Sequence, residues 1–132
     1  MWPFRRGERD GLGARGEKLA RRFLKRQGLK ILARNYRCPA GEADLIALDL
    51  STRHGGCPET VVFVEVKART SDRYVDPESA VDRRKRRKLR QVAAHYLAAR
   101  HADGLNVRFD IVAIVSPPGG EPQIRHIVDA FR

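Results

Sequence analysis

Three positions in this chain stand out for chemistry: Asp44 in the stretch GEADLIALD, and Glu65 and Lys67 in TVVFVEVK. Each lies in a run that otherwise reads as buried strand. A bare carboxylate among Val and Phe is costly unless a cation or a hydrogen-bond donor meets it. Period-two geometry puts Val61, Phe63, Glu65 and Lys67 on one side of the second run, and Asp44, Ile46 and Leu48 on one side of the first. Two readings follow from the residues alone. In one, Glu65 and Lys67 form an ion pair at a strand end and Asp44 pairs with an arginine. In the other, adjacent antiparallel strands bring Asp44 opposite Glu65, where two carboxylates repel. A hard divalent cation such as magnesium, which takes a few carboxylates and keeps waters, removes that repulsion.

The charge background sharpens the question. Among 132 residues, 27 Lys plus Arg face 16 Asp plus Glu, a net charge of +11. Such a surface concentrates polyanions and speeds their encounter, which makes nucleic acid the expected partner. No run approaches the roughly 20 apolar residues of a membrane span, and no apolar stretch follows Arg5 and Arg6, so a cytoplasmic protein without a membrane role is expected. Cys38 and Cys57 show no paired spacing, so neither a disulfide framework nor a zinc site with His54 is implied.

The elements that must position these residues can be read in order. Residues 1–10 read as a flexible basic arm, and residues 11–132 as one domain. Gly11 to Gly28 reads as a helix closed by Gly28. Leu12, Leu19, Ala20, Phe23 and Leu24 form its apolar arc, and Lys18 and Arg22 join its basic face; Glu17 falls at the edge of the arc. Strands follow at Lys30–Tyr36 and Glu42–Asp49, with Ala43 on the side of Leu45 and Ala47. Residues 51–59 read as a loop, and the apolar run Thr60–Lys67 as a central strand covered on both faces. Asp76-Pro77 signals a helix start, with a helix to about His101 whose apolar face holds Val81, Leu89, Val92, Ala93, Tyr96 and Leu97. Strands at Asn106–Ser116 and Pro122–Val128, the latter an edge, complete an α-β-β-β-α-β-β order.

GEADLIA followed by VFVEVKAR resembles the Asp…Glu-x-Lys signature of the PD-(D/E)xK nuclease superfamily, whose core order the chain shares. More closely, the span from about Gly13 to Val115 resembles the YraN-type family of endonuclease-like bacterial proteins. The stretches GEKLARRFLKRQGLKILARNYR, GEADLIALD, VVFVEVKART, AVDRRKRRKLRQVAAHYL and VRFDIVAI carry that likeness in order. Ala43 stands where the superfamily name has Pro. The resemblance implies a restriction-endonuclease-like α/β core with a mixed central sheet flanked by helices. It implies a magnesium- or manganese-dependent endonuclease hydrolysing nucleic acid, DNA ahead of RNA. Asp44 and Glu65 would bind the metal, with the Val66 backbone carbonyl a further ligand. Lys67 would orient or activate the attacking water, and Glu17 would complete the site directly or through water. At fold level the small core also resembles Holliday-junction resolvases, which raises a branched substrate.

Other residues are weighed more evenly. Lys18 and Arg22 on the first helix, and Arg83, Arg84, Lys85, Arg86, Arg87 and Lys88 on the second, are expected to grip phosphates without reading bases. Lys85 projects into the apolar face of its helix, where it either covers apolar surface with its stem or reaches a phosphate near the site. Glu42 shares Asp44's side of the strand but can equally serve the turn. Asp110 is expected to pair with an Arg or Lys, Tyr36 to pack in the core rather than stack on a base, and His95 to lie on the surface; His126 has no evident partner. A non-catalytic nucleic-acid-binding module on the same fold is the rival function, and a scaffold for an acidic protein a second. A homodimer stays open.

Overall fold

The computed structural model describes residues 6–52, 59–70 and 81–132. Its elements run helix α1 (Arg6–Arg26), strands β1 (Leu29–Cys38) and β2 (Gly41–Asp49), a 3-10 turn (Leu50–Thr52), strand β3 (Thr60–Arg69), helix α2 (Arg83–Ala99), and strands β4 (Asn106–Val115) and β5 (Gln123–Phe131). The order is the expected one, with the 3-10 turn added.

The strands form a single sheet in the order β1-β2-β3-β4-β5. Neighbours are antiparallel except β3 and β4, which run parallel from Thr60↔Asn106 to Arg69↔Val115. A parallel pair needs a long crossover, and α2 lies within it. α2 packs on one face, its Leu89, Val92 and Tyr96 clustering with Ile46, Phe63, Phe109 and Ile111. On the other face, Ala20 and Leu24 of α1 cluster with Leu45, Ala47, Val62, Val64 and Val112. β3 is therefore buried from Val61 to Ala68, which is why its sequence is apolar almost without a break. α1 comes very close to β3: a Cβ added to Gly16 would stand 2.6 Å from the Ala68 Cβ.

Both helix starts depart from the sequence reading, and β1 and β5 run on to Cys38 and Phe131. α1 begins at Arg6, so residues 6–10 are helix and not part of a flexible arm. Gly7, Gly11 and Gly13 are poor helix formers, and they hid that first stretch. α2 is capped by Asp82, whose side chain accepts from the Lys85 N–H at 2.9 Å. Val81 is buried ahead of the cap and not within the helix. The expected start at Asp76-Pro77 lies outside the described residues, as do His54 and Cys57. The end of α1 is as expected: Gly28 turns the chain at a φ of 91°, a conformation that favours glycine.

One irregularity matters for the site. The β1–β2 ladder keeps one register from Arg34↔Leu45 to Tyr36↔Ala43 but skips Asn35, whose φ is 51°, and Asp44. The alternation of faces along β2 changes across that gap. Ala43, expected beside Leu45 and Ala47, packs instead with Ile46 on the α2 face.

Candidate functional site

The β2–β3 ladder runs from Asp49↔Thr60 to Leu45↔Val64 and stops. One further step in the same register would set Asp44 opposite Glu65. Instead the Val66 N–H donates to Asp44 Oδ2 at 2.8 Å. A side chain has taken the place of a backbone partner, and the two strands part at this point. Because a strand residue turns its N–H and C=O toward the same neighbour, the Val66 carbonyl faces the same opening.

Glu65 and Lys67 project from β3 toward the α2 face and are buried. Lys85, from the first turns of α2, places its Nζ 2.5 Å from Glu65 Oε1, while Lys67 Nζ stands 3.7 Å from the same oxygen. Burial, then the Glu65 charge, pushes the Asp44 pKa up to about 7, against the Val66 N–H and Lys85, which act to lower it. Burial brings Lys67 down to about 8, aided by Lys85 and opposed by Glu65. Lys85 goes the other way: burial works against its charge, but Glu65 outweighs that and raises its pKa. The structure thus brings Asp44, Glu65 and Lys67 together and adds Lys85. Its head is neither snorkelling freely nor turned to the surface; it is ion-paired inside the site.

Glu17 is not brought to this group. Its Oε1 lies 3.1 Å from Arg21 Nε on its own helix, at ion-pair distance but off the line of a hydrogen bond. Glu42 is exposed and pairs with Arg37 Nε at 3.1 Å, so the turn-side reading describes its contact. Among the described residues no three His, Cys, Asp or Glu side chains gather to hold a metal ion. A divalent ion here would rest on Asp44, Glu65, the Val66 carbonyl and waters. That all-oxygen set suits magnesium or manganese, and burial, together with the neighbouring Glu65 charge, raises the Asp44 pKa.

The expected phosphate-gripping residues divide. Lys18 and Arg22 on α1, and Arg83, Arg84, Arg87 and Lys88 on α2, are exposed. Arg86 is tied down: its Nε donates to the Val81 carbonyl at 2.8 Å and its guanidinium lies 5.3 Å over the Phe131 ring. Tyr36 packs edge-on to Tyr96 and lies 2.9 Å from His95 Nδ1 through its hydroxyl.

A second ionic cluster lies on the α1 face. Asp110 is fully buried and accepts from Arg108 Nε at 2.9 Å and Nη2 at 3.0 Å, and from the Asp129 N–H at 2.9 Å. His126 Nε2 stands 2.8 Å from its Oδ2, and Arg108 Nη1 continues to Asp49 Oδ2 at 2.7 Å. Burial alone would raise the Asp110 pKa, but the bonds from His126, Arg108 and Asp129 outweigh it and hold it low. Arg108 is the base that the sequence reading expected beside Asp110; His126 is a partner it did not find. Gly16, also missed, carried one signal: it is a small residue in the middle of the apolar arc of α1.

Fold and site together define a small, strongly basic α/β protein whose central strand carries a buried, mixed-charge site where a ladder parts. The UPF0102 protein of Beutenbergia cavernae is 42% identical over 119 residues, covering 90% of this chain and 94% of its own length. That of Nocardia farcinica is 41% identical over 125 residues, covering 95% and 92%. That of Mycobacterium ulcerans is 44% identical over 117 residues, covering 89% and 91%. The description "Uncharacterised protein family UPF0102" matches residues 16–114. The chain belongs to this family, which is the YraN-type family its five sequence stretches resemble.

Proposed function

We propose that this protein is a metal-dependent nuclease of restriction-endonuclease-like fold, hydrolysing phosphodiester bonds of DNA ahead of RNA. The observation that supports it best is Asp44. A protein with a net charge of +11 holds this carboxylate beside Glu65, at a parting of strands, with its pKa raised to about 7. A structural acid in so basic a chain would be expected to find a satisfying base, as Asp110 does.

Asp44, Glu65 and the Val66 carbonyl would hold the ion. When bound, a divalent ion polarises a phosphate oxygen and lowers the pKa of its water. Lys67, with a pKa of about 8, can orient the attacking water and offset charge that builds on the phosphate. The exposed Arg83, Arg84, Arg87, Lys88, Lys18 and Arg22 would hold the backbone without reading sequence.

One observation favours a second reading, a nucleic-acid-binding module without catalysis. Lys85 already neutralises Glu65 at 2.5 Å with no ion needed. Incubation with circular, linear and branched DNA, with and without Mg²⁺ or Mn²⁺, separates the two. A nuclease cuts only with the ion, and Asp44→Asn and Glu65→Gln each abolish cleavage while binding persists or tightens. Binding without cleavage by the parent supports the module. Full cleavage by either variant would remove the site assignment.

A further inference from the structure

Four ionisable side chains share the opening at the end of β2 and β3. In their ordinary charge states Asp44 and Glu65 carry two negative charges, and Lys67 and Lys85 two positive ones. That balance is closed. A divalent ion entering it would leave an excess of two positive charges in a largely buried space, and one ammonium has to leave. We propose that Lys85 is the displaceable counter-cation of this site, holding the ion's place in the metal-free protein and swinging out when a divalent ion binds. The inference rests on the metal-site reading above and adds which residue the ion must replace.

The geometry distinguishes Lys85 from Lys67. Lys85 is the nearer to Glu65, at 2.5 Å against 3.7 Å. Its charge, like that of Lys67, also acts on Asp44, so it serves both carboxylates that would hold an ion. Its side chain is 34% exposed, against 6% for Lys67 and 4% for Glu65, so it has a route to solvent that Lys67 lacks. Its backbone is fixed by the bond from its N–H to the capping Asp82. Departure is thus a side-chain rotation and leaves α2 in place. Lys85 also helps depress the Lys67 pKa through its like charge. Its exit relieves Lys67 of a like charge and carries an ammonium to the surface already lined by Arg84, Arg87 and Lys88. A doubly charged ion outcompetes a single ammonium for the same carboxylates because its attraction to each is doubled at equal distance.

Two measurements test this without nucleic acid or cleavage. In the first, the folded parent protein is treated briefly with an amine-acylating reagent in EDTA and in Mn²⁺, and modification at Lys85 is read by peptide mass spectrometry. Lys85 should react several-fold faster with Mn²⁺. In the second, Mn²⁺ is titrated calorimetrically into the parent and into Lys85→Gln. The variant should bind about tenfold more tightly, the size expected from removing one charge-assisted hydrogen bond that the ion must break. Parent protein that binds Mn²⁺ with unchanged Lys85 reactivity overturns the proposal and leaves the metal site standing. So does a folded Lys85→Gln that binds no more tightly. If the parent binds no Mn²⁺ at all, the metal site itself fails and this proposal with it. Should Lys85→Gln not fold, the labelling of the parent decides alone.

Discussion

Asp110, fully buried, and Asp44, half-buried, lie in one sheet, and their surroundings treat a carboxylate in opposite ways. Asp110 is met on every side by donors in hydrogen-bond geometry, two from Arg108, one from His126 and one from the Asp129 backbone, and its pKa is held low. The bulge at Asp129, with a φ of 54°, turns that N–H inward. Asp44 has a single backbone donor, a like charge beside it in Glu65, and lysines that divide between the two acids, and its pKa is pushed up to about 7. The same fold can therefore satisfy a buried acid fully. Where it does not, the shortfall is local and is open to a ligand. Perturbed groups gather at functional sites for this reason.

Breaking the satisfied cluster should have the largest effect. Asp110→Ala leaves Arg108 without its bidentate partner and orphans the Asp129 N–H, and should cost about 3–5 kcal/mol in urea unfolding. Asp44→Asn keeps an acceptor for the Val66 N–H and removes one of two repelling charges, so in EDTA it should match the parent or exceed it. Equal losses in both variants would erase the contrast between the clusters.

The pH dependence of stability should also have opposite signs. The folded pKa of Asp44 lies above its unfolded value, so the unfolded chain gives up this proton first. Stability falls as pH rises from about 4 to 7, by on the order of 2–4 kcal/mol. Asp110, depressed in the fold, contributes stability above its unfolded pKa and loses it as pH drops through the folded one. Lys67, lowered to about 8, is relieved only as pH rises beyond that value. Urea unfolding between pH 4 and 8 should show a parent curve falling across that range relative to Asp44→Asn. Parallel curves would mean that Asp44 is not strained.

A smaller effect tests the helix on the Asp110 face, since Phe23 of α1 packs edge-on to His126 and Gly16 lies against Ala68, the chain neighbour of Lys67. Gly16→Ala should cost about 1–3 kcal/mol through the clash with Ala68, despite the better helix propensity of alanine. A melting temperature raised above the parent's would show that α1 does not sit so close.

The smallest effect is on binding. Log affinity for duplex DNA should fall with log salt at about −0.9 per neutralised phosphate. Replacing Arg87 and Lys88 by Gln should flatten that slope by up to about two units. Arg86→Gln should change it less, because Arg86 is committed to Val81 and Phe131. An unchanged slope in the double variant would make the run a solvated face.

How far the sequence carried depended on how local each signal was. β3 was legible from its unbroken apolar run, and Asp44, Glu65 and Lys67 from strand alternation, because both features repeat over a few residues. Lys85 showed only that it lay on the buried side of its helix; what it meets depends on where α2 lands on the sheet. The placement of Glu17, at the edge of its arc, was legible, but its partner Arg21 is a matter of rotamer. The change of face between Ala43 and Leu45, and the bulge that brings the Asp129 N–H to Asp110, are backbone events with no periodic trace.

Thermal melts of the parent and of Asp44→Asn, in EDTA and through a Mn²⁺ titration, test the proposed metal site most directly. The parent should gain about 2.7 kcal/mol at a hundredfold excess of ion over its dissociation constant, and Asp44→Asn should lose most of that gain while being no less stable in EDTA. An Asp44→Asn protein strongly destabilised in EDTA, or a parent indifferent to the ion, would show Asp44 to be a structural partner like Asp110 and would contradict the account.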